Sequence, residues 1–137
     1  MASEDRTYRL GDLQLEIMKV LWRLGSATVA DVHGQLPARR LAYTTVATML
    51  RKMADRGLVA HEEPSGEEQG RRFVYRPRVT EREVTRGMTD DLVERLFEGS
   101  LASTVSHLLE ERDASAEELA QLERLIREHR RGRAKEG

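Results

Sequence analysis

The side chains best suited to chemistry lie between residues 39 and 56 of the 137-residue chain. Thr44, Thr45 and Thr48 fall within five residues, Ala47 sits among them, and Arg51 follows one turn later. Threonine hydroxyls bond base edges or phosphates, the threonine methyl touches a thymine methyl, and an arginine fork takes guanine bidentately. These types suit a helix lying in a major groove. An idle helix face more often carries Glu–Lys pairs, which combine better propensity with mutual attraction. Tyr43 and Lys52 flank the set, and Arg39 and Arg40 just upstream are placed to grip phosphates. Arg71 and the hydroxyl of Tyr75 are further candidates for backbone contact.

Charge supports the same region. The whole chain has a formal net charge of -1, but residues 1–79 carry 13 basic against 10 acidic side chains and residues 80–137 carry 10 against 14. Phosphate binding needs a local positive face, whatever the sign of the whole chain. Residues 39–56 supply one, with Arg39, Arg40, Arg51, Lys52 and Arg56 against the single acid Asp55.

Other chemistries find no support. With no cysteine, disulfides, thiolate metal sites and cysteine nucleophiles are excluded, and a reducing cytoplasm is the expected location. His33, His61, His107 and His129 fall on four separate elements at no ligand spacing, and no nucleophile–base or paired-carboxylate pattern is present. Neither a metal, nor a cofactor, nor an enzymatic activity is expected. No apolar run approaches the roughly 20 residues of a membrane span.

The elements that must position the threonine and arginine face follow from periodicity. Leu13, Ile17, Val20, Leu21 and Leu24 form one helical stripe, and Leu15, Met18 and Trp22 form a second, so this first helix is expected between two neighbours. Gly11 with Gln14 opens it and Gly25 ends it. A short helix from about Ala27 to Gln35 is opened by Thr28 and stopped by Pro37. The third runs from about Tyr43 to Arg56, with Val46, Met49, Leu50 and Met53 inward and Gly57 as its stop. The period then changes. Residues 58–62 and 71–76 read as two strands joined by a Gly-rich polar loop and closed by Pro77, which makes a β-hairpin. Its acidic tip, Glu67 and Glu68, argues against deep insertion into a minor groove.

The remainder is helical. Thr80-Glu81-Arg82-Glu83 and Ser115-Ala116-Glu117-Glu118 both match the capping box. The first opens a helix to about Phe97, broken at Gly99; a middle helix spans Ser100 to Glu110, and a last one Ala116 to about Arg130, with residues 130–135 expected to fray. The fold class is therefore mainly α with a small β-hairpin: a winged helix-turn-helix head over residues 1–79 and a three-helix tail over residues 80–137. Short helices cannot enclose a core alone, so Leu92, Leu96, Leu101, Val105, Leu108, Leu119, Leu122, Leu125 and Ile126 are the expected seam of a homodimer.

Residues 15–22, 42–50, 56–59 and 73–75, with 97–101 and the C-terminal capping box, resemble the penicillinase repressor (BlaI/MecI) family over nearly the whole chain. The resemblance implies a homodimeric transcriptional repressor on a palindromic double-stranded DNA operator. It also implies that a membrane-bound sensor protease leads to cleavage of the C-terminal domain. The best-known members are cut between an asparagine and a phenylalanine, and the matching positions here are His107 and Leu108. Copper-responsive relatives carry a cysteine-rich tail that this sequence lacks. Where the family often has a serine cap and a proline before the recognition helix, this chain has Ala42 and Tyr43. Two other readings share the fold: a winged-helix regulator controlled by a small ligand, and a winged-helix module that binds protein.

Overall fold

The computed structural model describes residues 10–36, 41–62 and 73–136. Its elements run α1 (Asp12–Leu24), β1 (Ala27–Thr28), α2 (Val29–Gln35), α3 (Tyr43–Asp55), β2 (Val59–Glu62), β3 (Val74–Pro77), α4 (Glu81–Phe97), α5 (Leu101–Glu111) and α6 (Ala116–Glu136). Chain contacts divide it into two units, residues 1–91 and 92–137.

In the first unit, α1 is buried through Ile17, Met18, Val20 and Leu21. Gln14 reaches back to accept from the Gly11 N–H at 3.2 Å. Glycine has no side chain to complete the reciprocal cap, so only half a capping box forms. On the second stripe, the Trp22 indole N–H donates to the Val79 carbonyl at 2.9 Å. That bond ties α1 to the segment leaving the sheet, and accounts for the two stripes: α1 is covered from both sides.

Thr28 begins α2 through a full capping box. Its hydroxyl accepts from the Asp31 N–H at 3.1 Å, and its own N–H donates to the Asp31 carboxylate at 3.1 Å. The same residue ends β1, a strand that two residues of sequence gave no period to reveal. β1 makes the expected hairpin a three-stranded antiparallel sheet of order β1-β3-β2. Tyr75 is central, opposite Ala27 on one side and His61 on the other.

The end of α3 fixes how the helix passes into the sheet. Gly57 adopts φ 83, its N–H bonds the Ala54 carbonyl at 3.0 Å, and the Leu58 N–H bonds the Met53 carbonyl at 2.9 Å. These two bonds are the Schellman pair, and Leu58 and Met53, both buried, make the apolar contact that goes with it. A side chain at Gly57 would force an L residue into the left-handed region.

The boundary expected at residues 79 and 80 moves. Val84, 1% exposed, belongs to the same core as Leu21 and Leu50, and Met88 packs against it. The first turns of α4 are thus part of the head, and the division falls within that helix at Asp91 and Leu92. Its start is as expected: the Glu83 N–H donates to the Thr80 hydroxyl at 3.0 Å and the Thr80 N–H to the Glu83 carboxylate at 2.9 Å.

In the second unit, Ser100 caps α5 by accepting from the Ser103 N–H at 3.0 Å, and Ser115 caps α6 by accepting from the Glu118 N–H at 3.0 Å. The α4–α5 turn uses two left-handed residues, Glu98 (φ 51) and Gly99 (φ 81). α6 continues to Glu136, beyond the expected end near Arg130. Lys and Arg have good helix propensity and sit favourably at a helix C-terminus, so the basic run extends the helix.

Candidate nucleic-acid interface

α3 is pinned into the head on one side and bare on the other. Val46, Leu50 and Met53 are fully buried, while Tyr43, Thr44, Thr45, Thr48, Arg51 and Lys52 are exposed and Ala47 is half-buried. The 3.6-residue period makes that split: the apolar positions recur every three or four residues and leave the threonines and Arg51 outside. Ala42 has no side chain able to cap, and the start of α3 is held by backbone bonds from the Thr45 and Val46 N–H groups to its carbonyl.

Two residues whose role sequence reasoning did not find set the pose of α3. His33 on α2 has Nε2 at 2.8 Å from the Leu41 carbonyl oxygen, and its ring meets Tyr43 edge-on at 6.1 Å. Gln14 on α1 donates to the Met49 sulfur at 3.5 Å and accepts from Arg56 at 3.2 Å. Arg56, one of the cations of the basic segment, thereby bridges α3 to α1. A single histidine carries no periodic signal, and the spacing marked Gln14 only as the partner of Gly11 at the start of α1, so neither role beside α3 was legible.

Tyr75 is not on the surface with the others. It is 4% exposed, because the alternation along β3 turns Tyr75 to the core and leaves the next residue, Arg76, exposed. Burial pushes its phenol above the ordinary 10.0, partly countered by the nearby Arg51 guanidinium and reinforced by Tyr43. The ring is a core member, which corrects the expectation of a backbone contact. His61 and Phe73 continue its face outward, with ring centroids 4.9 Å apart and His61 5.7 Å from Tyr75. Arg39, Arg40 and Arg71, like the acidic tip at Glu67 and Glu68, lie outside the described residues.

The second unit holds the other group of expected residues. Leu92, Leu96, Leu101, Val105, Leu108, Leu119, Leu125 and Ile126 are exposed, Leu101 by as much as 71%, and Leu122 is half-buried. Thr104 is the one buried residue of this unit among the described residues, its hydroxyl donating to the Ser100 carbonyl at 2.8 Å. His107 and Leu108 lie inside α5, with the His107 ring 5.4 Å from that of Phe97. No described helix is long and apolar enough to cross a membrane, and no described cluster of His, Asp and Glu could hold a metal ion.

Residues 10–128 match the penicillinase repressor family. The chain belongs to that family. Its members are transcriptional regulators rather than enzymes, and the head has their winged-helix DNA-binding architecture. Among relatives of this penicillinase repressor family member, the penicillinase repressor of Bacillus licheniformis is 30% identical over 123 residues, covering 89% of this chain and 92% of that protein. The transcriptional regulator BlaI of Mycobacterium tuberculosis is 38% identical over 123 residues, covering 84% and 86%. Among solved structures, the CopR repressor is 31% identical, covering 51% of this chain and 96% of that one at a TM-score of 0.40.

Proposed function

We propose that this repressor-family protein acts as a homodimer on a palindromic operator, each head laying α3 in a major groove. The observation that carries the reading is the exposed face of Thr44, Thr48 and Arg51 on a helix whose other side is buried through Val46, Leu50 and Met53. Arg51 takes a guanine edge, the threonines and Ala47 meet neighbouring bases, and Tyr43, Thr45 and Lys52 hold the backbone. Arg39, Arg40 and Arg71 complete the phosphate contacts.

The second unit joins the heads. Its exposed leucines, Val105 and Ile126 form an apolar surface that a monomer would leave in water, and a two-fold interface covers it with a second copy. Joining two heads makes the second half-site contact intramolecular, worth about 10²–10⁴ in avidity. Repression ends when the tail is dismantled, by a cut at His107 and Leu108 following the signal of a membrane-bound sensor protease. That bond lies in a helix, so the protease acts on an opened α5.

Selection of bound sequences from genomic fragments tests the reading. It should return a two-fold site with half-sites one helical turn, or a multiple of it, apart. Recovery of random fragments would sink it.

A further inference from the structure

α6 carries a surface that neither the dimer seam nor the recognition helix uses. Between residues 124 and 135 it has six cations, Arg124, Arg127, Arg130, Arg131, Arg133 and Lys135, against one carboxylate, Glu128. All six are exposed, and none has an ion pair among the described residues. At 3.6 residues per turn, Arg124, Arg127, Arg131 and Lys135 fall within an arc of about 80°, forming a stripe about 16 Å long. The apolar positions Leu119, Leu122, Leu125 and Ile126 centre on the opposite side of the helix. Compensation of the helix dipole explains cations in the last turn, but not Arg124 and Arg127 two to three turns earlier.

We infer that this stripe is a second, sequence-independent hold on DNA, taking the phosphate backbone along about five base pairs at 3.4 Å per step. A row of guanidiniums matches a row of phosphates in charge and hydrogen-bond geometry. An anionic membrane is the other large polyanion, but a helix lies in a bilayer surface by submerging its apolar face, and that face of α6 belongs to the proposed dimer seam. The choice of DNA over membrane therefore rests on that seam as well. The inference rests on the proposed DNA binding by α3 only in its choice of polyanion.

The test uses the full chain with Arg124, Arg127, Arg131 and Lys135 all changed to Gln, beside a variant with the three arginines changed to Lys. Helix content by circular dichroism and self-association by sedimentation establish that both fold and assemble like the parent. Affinity for a long operator duplex and a long random duplex is then followed against salt. The Gln variant should lose about 0.9 from the log–log salt slope for each contact removed. With all four engaged, its deficit relative to the parent should shrink about a hundredfold between 50 and 200 mM salt. Its operator-over-random ratio should be unchanged, and the Lys variant should keep the parental slope. Equal slopes for parent and Gln variant on both duplexes would overturn the stripe while leaving the α3 reading intact. A parent that shows no operator preference would sink the α3 reading instead, and the slope on random duplex would still decide the stripe. Flotation with phosphatidylglycerol–phosphatidylcholine vesicles completes the test. Vesicle binding lost in the Gln variant, with DNA slopes unchanged, would assign the stripe to membrane and overturn the proposal.

Discussion

The imidazole of His33 holds the backbone of Leu41, Nε2 to carbonyl oxygen at 2.8 Å, two residues before α3 begins. A carbonyl only accepts, so Nε2 is the donor in this bond. The bond bridges α2 to the segment that leads into α3.

His33→Ala should therefore lower DNA affinity as well as stability. Leaving the part-buried carbonyl without its donor costs about 1–3 kcal/mol. Operator affinity measured well below the melting temperature should fall without a change in base preference, and His33→Gln, which retains a donor, should recover part of it. Unchanged affinity in the Ala variant would remove the positioning role.

Gly57 offers a cleaner test of backbone geometry. A Cβ there meets nothing within 4 Å, so Gly57→Ala suffers only its φ of 83. Denaturant unfolding should show a loss of about 1–2 kcal/mol. A neutral result would mean that the turn between α3 and β2 tolerates another conformation.

Tyr75 predicts an alkaline effect. Burial raises its folded-state pKa above the ordinary 10.0. The unfolded chain therefore loses this proton first, and the contribution, full below 10.0, is lost as pH rises through the higher folded value. Tyr75→Phe should show a shallower decline of melting temperature over that range than the parent. Parallel declines would mean the phenol is not titrating from a buried site.

Most of the head was legible because its elements carry strong periods and punctuation. The α3 apolar set of Val46, Leu50 and Met53, the Thr80 and Ser115 caps and the Gly57 stop are all local signals. What escaped was non-local or too short for a period. β1 is two residues long, and its identity depends on pairing with β3, far along the chain. The head–tail division moved because Val84 and Met88 follow a helical period that does not say which unit they face. Tyr75 was misjudged for a related reason: a strand residue's face depends on its neighbours, and here Ala27 and His61 flank it. The exposure of Thr44, Thr48 and Arg51 was legible from spacing, whereas Ala47 and Met49, expected outside and inside, are both half-buried at the edges of the two faces.

The seam of the second unit has its own test. Leu122→Glu places a charge among Leu119, Leu125 and Ile126, where a partner copy would have to desolvate it. Sedimentation should show dissociation at concentrations where the parent is dimeric, and operator affinity should fall with it. A parent that sediments as a monomer at micromolar concentration would contradict the dimer directly.

The central claim is that α3 reads sequence, and anisotropy titration of parent and Arg51→Ala against operator and random duplexes, at one fixed salt concentration, tests it most directly. The parent should bind operator at least about 10³ times tighter than random duplex. Arg51→Ala should lose about 1–3 kcal/mol on operator and relax preference at one base pair, with little change on random duplex. Equal losses on both duplexes, or a parent that does not distinguish them, would contradict the account.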